Sequence, residues 1–363
     1  MKTITIIYSL LFSSNAIASL PITIELNAKT NSNIDRVSNP VKKDVYSQQA
    51  SLKTKLKFKP FKKFILIDLP TVDLEYTPSL TEKVRNFNLS NTLIGLYLPK
   101  RGLIYSGSFN TSYTKSIFTN EDQQIEDSKN WSIGLDGGVA KDLTKKYNLG
   151  FNLGIRSQSY LEAANPLEAL PLKDDNLRLS GKLTQKYKIN KGHTLIVPIS
   201  FTDKIYKEKR ALNATGNQVS TSAETIHTYK VGFSYLLKQA KYRLTPNLGY
   251  TYNKDTVEGG RTYKGPELKV NFAYFFEKFS FNSRLSYKVR DYKSQLVDTA
   301  NTSGTSPLLE AKIVGFNANI EVPFGAKKSY HFLTGYEHQG LKSNRMADDN
   351  ANEIIKIGLR LKF

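Results

Sequence analysis

The sequence predicts an all-β fold: a transmembrane, antiparallel up-and-down β-barrel of about fourteen strands, with twelve as the alternative count. Three observations carry that expectation. Long segments alternate apolar and polar residues with a period of two, the mark of strands whose two faces see different surroundings. The connections between them alternate short and long. No apolar run reaches the roughly 20 residues a membrane helix needs, the longest outside the N-terminus being Phe64-Ile65-Leu66-Ile67 and Leu195-Ile196-Val197-Pro198-Ile199.

Composition agrees. The chain has 363 residues, 39% hydrophobic and 23% charged, with Tyr 21 and Phe 19 against Trp 1 and Met 2. It is too aromatic for a disordered chain, and its mean hydropathy of -0.41 is too low for a helical membrane bundle. With no cysteine, disulfide frameworks, cysteine-ligated metal and anchoring through a lipidated N-terminal cysteine are excluded. Lys+Arg exceed Asp+Glu by 52 to 32, a formal charge of +20. Such a charge suits nucleic acid as well as anionic solutes or lipids, but no nucleic-acid module interrupts the strand pattern, so no nucleic-acid partner is expected.

In chain order, residues 1–18 read as a secretory signal peptide: Lys2, the apolar stretch Ile4 to Phe12, then Ala16-Ile17-Ala18 as a small-residue cleavage pattern. Residues 19–60 are expected to form a polar, basic periplasmic segment, rich in Asn, Ser, Lys and Thr. Within it Leu52, Thr54, Leu56 and Phe58 alternate with Lys53, Lys55, Lys57 and Lys59, which leaves an extra strand or a basic plug open beside a solvated lead-in. The barrel is expected over residues 61–363, its first strand pair near 64–79 and 87–98, where Pro60, Pro70 and Pro78 blur the count.

Further strands show cleaner alternation. Tyr147, Leu149, Phe151, Leu153 and Ile155 oppose Asn148, Gly150, Asn152, Gly154 and Arg156; Phe279, Phe281, Leu285, Tyr287 and Val289 oppose Ser280, Asn282, Arg284, Lys288 and Arg290. Short turns fall at Pro99–Gly102, Thr144-Lys145, Asn190–Gly192, Lys238–Ala240, Glu277-Lys278 and Gly325–Lys327. Longer polar loops lie near 118–128, 161–174, 207–224, 254–262, 292–307 and 340–352. A soluble sandwich with Greek-key crossings has no such parity. An even strand number puts both termini on the short-turn side. Tyr105, Tyr113, Tyr235, Tyr250 and Phe324, near strand ends, suit interfacial girdles.

The last strand runs Ile355-x-Ile357-x-Leu359-x-Leu361-x-Phe363. With the signal-peptide pattern and the turn parity, this resembles bacterial outer-membrane β-barrel proteins of porin-like type. The resemblance covers roughly residues 64–363 and names no solute. It implies an outer-membrane location and recognition of Ile357, Leu359, Leu361 and Phe363 by the barrel-assembly machinery. Outer-membrane lipids and lipopolysaccharide are the surroundings it implies.

If the apolar face meets lipid, the other face lines the interior. That places Arg156, Arg178, Lys182, Lys186, Lys230, Arg243, Lys269, Arg284, Lys288, Arg290, Lys356 and Arg360 inside, with Asp136, Asp142, Glu267, Glu277 and Glu321 as the chief acids. An excess of cations in a low-dielectric wall attracts anions. The expected function is a passive channel for small hydrophilic, preferably anionic solutes. The alternative is a non-channel barrel, structural or adhesin-like, acting through its loops; a lipid hydrolase stands third.

No catalytic constellation and no cofactor or metal site is expected. The nearest approach, Glu337-His338 with Ser343 and Asn344, loosely resembles the histidine-serine clusters of outer-membrane lipid hydrolases, but Gly340 stands where their Ser follows His by two. His331 and His338 lie seven residues apart, on opposite faces of a strand, and cannot share a metal.

Overall fold

The computed structural model describes residues 22–31, 45–77, 84–119, 125–161, 175–212, 218–256, 261–296, 307–325, 329–344 and 350–362. The expected signal peptide and Phe363 lie outside the described residues. Among the described residues every regular element is a strand. The first five are β1 (Ile22–Asn31), β2 (Val45–Thr54), β3 (Leu56–Phe61), β4 (Phe64–Asp68) and β5 (Thr71–Tyr76). Next come β6 (Val84–Lys100), β7 (Leu103–Thr119), β8 (Ile125–Asp142), β9 (Tyr147–Tyr160), β10 (Asn176–Asn190), β11 (His193–Leu212) and β12 (Gln218–Lys238). The circuit ends with β13 (Tyr242–Asp255), β14 (Tyr263–Phe275), β15 (Ser280–Leu296), β16 (Leu308–Phe324), β17 (Tyr330–Ser343) and β18 (Asn350–Lys362).

These segments form sixteen full-height staves, because two staves are each broken once. Asp68 faces Leu93 and Thr71 faces Ser90, so β4 and β5 run along β6 in one unbroken register. The ladder lapses at Pro70, which has no N–H to give; Leu69 N–H donates to Thr92 O at 3.0 Å. Likewise β2 and β3 form one stave, with Thr54 N–H donating to Pro70 O at 3.1 Å.

The circuit closes through β1, which pairs antiparallel with β2 on one side and β18 on the other. This corrects the expected count of fourteen, and the twelve kept beside it. The strand pair placed near 64–79 and 87–98 is the third and fourth stave; the missing ones are β1 and β2–β3. Residues 22–31 and 45–61 are therefore barrel wall, not a periplasmic lead as the 19–60 and 61–363 division had it. The physical reason is that β1 alternates Ile22, Ile24, Leu26 with Thr23, Glu25, Asn27, but inside a stretch whose Asn- and Ser-rich composition masks the pattern. Closure matters energetically, since an open sheet edge in hydrocarbon would leave backbone groups unpaired.

Thr23 faces Lys362, so both ends of the described wall lie on the side of the short turns. Those turns need little chain. In the two-residue turns, Gly102 and Gly192 take φ of 78° and 95°, a left-handed backbone that suits glycine.

Register keeps the two faces separate around the seam. Leu359 faces Leu26, Leu26 faces Ala50, Ala50 faces Leu74 and Leu74 faces Phe87, an apolar row. The neighbouring row is polar throughout: Arg360, Glu25, Ser51, Asp73, Asn88, Thr114. Large apolar side chains stay exposed on the outer face of nearly every stave, among them Leu153, Leu248 and Ile355, each more than half exposed. Among the described residues no helix is long and apolar enough to cross a membrane.

Candidate functional site

The interior wall is the polar face. It divides into two arcs of different chemistry.

The first arc runs over β16 to β18 and on through β1 to β8, and here the carboxylates are engaged. Arg360 is its centre: its Nε and Nη2 donate to Glu25 Oε2 at 3.0 and 2.9 Å, and its Nη1 donates to Glu321 Oε2 at 3.0 Å. Glu321 is also 2.7 Å from His331 Nδ1 and accepts from Lys362 at 3.5 Å. Further round, Glu75 accepts from Asn86 at 2.8 Å, Ser47 at 3.0 Å and Lys29 at 3.4 Å. Asp73 takes Ser51 and Asn88, Asp136 takes Ser108 and Asn110, and Glu337 takes Lys356 at 3.5 Å.

The second arc runs over β9 to β15 and is basic. Register places Arg156 opposite Arg178 and Arg178 opposite Lys204. Lower down, Lys182 lies between Asn152 and Ser200, and Lys230 faces both Ser200 and Thr251. Lys269 faces Asn247 and Ser286, and Lys238 faces Arg243. Arg178, Lys182 and Lys186 follow one another on β10 at four-residue intervals, about 13 Å each, so the arc is cationic along much of the wall height.

Pairing separates the twelve cations named from the sequence. Lys356 and Arg360 belong to the first arc and are ion-paired. Arg156, Arg178, Lys182, Lys186, Lys230, Arg243, Lys269, Arg284, Lys288 and Arg290 form no ion pair among the described residues. Arg284 donates from Nε to the amide oxygen of Asn271 at 3.0 Å, a neutral partner that orients the guanidinium without cancelling its charge. Lys288 and Arg290 lie 5.9 and 5.1 Å from the Tyr263 ring centre, with Glu267 across from Lys288. Arg243, Lys269 and Arg284 line a recess of 810 Å³ together with the amides of Asn271, Asn317 and Asn319, several hydroxyls, and Glu337, whose carboxylate is paired with Lys356. Lys182 and Lys230 border a neighbouring recess of 270 Å³.

Ile357 and Leu359, named from the C-terminal pattern, project outward and are about half exposed, at 53% and 45%. Leu361 is half-buried and faces Ile24 of β1. His338 lies on the outer face, 3.6 Å from Glu353, and Ser343 falls on the opposite face, so the two do not meet. Among the described residues no group of three His, Asp or Glu side chains could hold a metal ion.

Sequence reasoning missed Glu25, Lys29, Asp73 and Glu75. All sit in segments read as preceding the wall or as its blurred start. The signal was their alternation with Leu26, Ala28, Val72 and Leu74.

No protein-family model matches the chain, and no curated protein does either. Solved structures do. CdiB from Acinetobacter baumannii matches with a TM-score of 0.53 at 8% identity, over 94% of this chain and 60% of that one, so the chain spans about three-fifths of its length. OpdO of Pseudomonas aeruginosa matches with a TM-score of 0.50 at 12% identity, over 95% of this chain and 97% of that one. The fold is that of bacterial outer-membrane β-barrels. The outer-membrane protein OpdK from Pseudomonas aeruginosa also matches, at a TM-score of 0.49 and 9% identity over 95% and 99% of the two chains. At these identities the barrel architecture is shared and the lining residues are this chain's own.

Proposed function

We propose that the chain is a bacterial outer-membrane channel for small hydrophilic solutes, with a preference for anions. One observation supports this most: ten cations of the β9–β15 arc, Arg156, Arg178, Lys182, Lys186, Lys230, Arg243, Lys269, Arg284, Lys288 and Arg290, form no ion pair among the described residues, whereas Arg360 and Lys356 of the facing arc are ion-paired. A wall whose charges cancelled would favour a sealed structural barrel. This one keeps a net positive field along one side, and low-dielectric walls focus such a field on passing ions.

The recess bordered by Arg243, Lys269 and Arg284 offers guanidinium and ammonium donors with amides beside them. That is suitable chemistry for transient contact with carboxylate or phosphate. Several cations spaced along the wall allow an anion to pass between weak sites instead of being trapped at one.

In this reading the short turns face the periplasm after cleavage of residues 1–18. Phe363, with Ile357, Leu359 and Leu361, serves recognition by the assembly machinery. Phe363→Ala should lower the outer-membrane yield in cells while leaving the conductance of refolded protein unchanged. The channel itself is tested by ion flow through refolded protein in a planar bilayer under a salt gradient. Steps with an anion-selective reversal potential support it; silence from folded barrel points to a structural or surface-interaction role.

A further inference from the structure

The short-turn rim carries a feature that the channel reading does not use. Every described short turn pairs a cation with an aromatic ring within a few residues. The β3–β4 turn reads Phe61-Lys62-Lys63-Phe64; β6–β7 has Lys100 and Arg101 between Tyr97 and Tyr105; β8–β9 has Lys145-Lys146-Tyr147. Tyr187, Lys188 and Lys191 serve β10–β11; Tyr235, Lys241 and Tyr242 serve β12–β13; β14–β15 reads Phe276-Glu277-Lys278-Phe279. These lysines and Arg101 are all exposed, and none forms an ion pair among the described residues.

The turns are also fixed in place. Lys63 O accepts from Leu98 N–H at 2.8 Å, Lys146 O from Lys188 N–H at 2.7 Å and Lys241 O from Phe275 N–H at 2.7 Å. These three lysine-bearing turns are thus tied to the next stave and held close to the wall. The rings beside them face outward: Tyr97 and Tyr105 stack across their turn at 6.3 Å, and Phe276 stacks on Phe279 at 4.0 Å. Tyr97, Tyr105, Tyr187 and Phe276 are each close to half exposed.

At the opposite rim some outward cations are paired: Lys312, His227 and His338 lie 2.9, 2.6 and 3.6 Å from the carboxylates of Glu310, Asp203 and Glu353. Others there, Lys254, Lys264 and Lys342, form no ion pair among the described residues.

We propose that the short-turn rim is a collar for anionic phospholipid: the aromatic belt sits at the acyl–headgroup boundary, and the lysines above it bind headgroup phosphates of the leaflet on that side. This rests on the reading that the barrel spans a membrane. Aromatic rings settle at that depth, and lysine side chains reach from the hydrocarbon edge into the headgroup layer. Clustered lysines beside a bilayer select anionic over zwitterionic lipid. A soluble acidic partner would require neither the outward rings nor turns held so close to the wall.

The experiment uses refolded mature protein in vesicles of phosphatidylcholine with added phosphatidylglycerol, reading association of spin-labelled phosphatidylglycerol against spin-labelled phosphatidylcholine. The wild type should enrich phosphatidylglycerol severalfold, and added salt should erode the enrichment. Combining K62Q, K63Q, R101Q, K145Q, K146Q, K191Q, K241Q and K278Q should abolish it. Neutralising Lys115, Lys129, Lys312 and Lys342 at the other rim should leave it intact. Equal association of the two lipids with wild type, enrichment insensitive to salt, or equal loss in both variants would overturn the collar. Failure of wild type to insert as β structure into pure phosphatidylcholine, read by circular dichroism and flotation, would instead overturn the membrane-spanning reading beneath it.

Discussion

Arg360 and Glu25 stand 335 positions apart in the chain and 2.9 Å apart in space. The contact spans the seam where the last strand meets the first, and Glu321 on β16 shares the same guanidinium at 3.0 Å. Because the planar fork of arginine serves two carboxylates at once, one side chain ties three staves together on the interior face. Asn27 adds a donor to Glu25 at 3.0 Å, so both oxygens of that carboxylate are engaged.

Arg360→Met should therefore weaken closure more than removal of an exposed surface cation would. It leaves Glu25 and Glu321 near one another without their shared counter-charge. The expected cost is roughly 2–5 kcal/mol, the usual range for breaking a partly buried hydrogen-bonded pair from one side. Urea unfolding of the refolded barrel in vesicles measures it. The double variant Arg360→Met with Glu25→Gln should recover part of the loss.

The outward and inward faces of β1 should respond oppositely to charge. Leu26 is 51% exposed on the apolar face, and Leu26→Arg is expected to cost about 2–4 kcal/mol if that position lies near the bilayer midplane. Asn27→Ser, one residue on and facing inward, should cost far less, its main effect being loss of the donor to Glu25. Equal tolerance of both changes would contradict the assignment of β1 to the wall. Heat-modifiable gel mobility after refolding distinguishes the two.

Gly192 is expected to resist substitution for two reasons that act together. Its φ is 95°, and a Cβ there would stand 2.3 Å from Lys238 O. That oxygen belongs to backbone, so it cannot swing aside. Gly192→Ala should cost about 1–3 kcal/mol through strain at the β10–β11 turn, read by the same urea titration. Gly137, with nothing near its notional Cβ, is the matched control and should accept Ala at small cost.

Charge changes on the two arcs should not be equivalent. Lys182 has no carboxylate partner among the described residues, while Asp136 accepts from Ser108 at 3.2 Å and Asn110 at 3.0 Å. Lys182→Glu should move the reversal potential toward cations. Asp136→Asn should move it toward anions and by less, since it changes the wall by one unit of charge where Lys182→Glu changes it by two. A larger effect from Asp136 would shift the selectivity argument to the other arc.

The alternation of apolar and polar residues made the staves from Phe64 onward legible, because each carries several large apolar residues on one face and its turns obey one parity. The stave made by β2 and β3 was not so legible. Its outward face begins Tyr46, Gln48, Ala50, Leu52, in which two large apolar residues alternate with an amide and a methyl. That pattern is too weak to separate from a polar segment until β1 and β5 are seen beside it. Parity likewise assigned the cations to the polar face, since a strand has only two faces. It could not foretell that Lys356 and Arg360 would be paired and Lys182 or Lys230 not, because pairing depends on which staves meet at closure and in what register. Glu25 reaches Arg360 only because β1 completes the circuit.

The central claim is that unpaired cations on one arc of the interior wall make an anion-preferring pore. It is tested most directly by the single-channel reversal potential of the refolded mature chain in a planar bilayer under a salt gradient. The measurement is made on wild type and on a variant with Lys182, Lys186 and Arg284 changed to Gln. The account predicts reproducible conductance steps, a reversal potential on the anion side, and a clear reduction of that selectivity in the variant. Conductance with cation preference, selectivity unchanged in the variant, or no conductance from protein shown by circular dichroism to be folded β would contradict it.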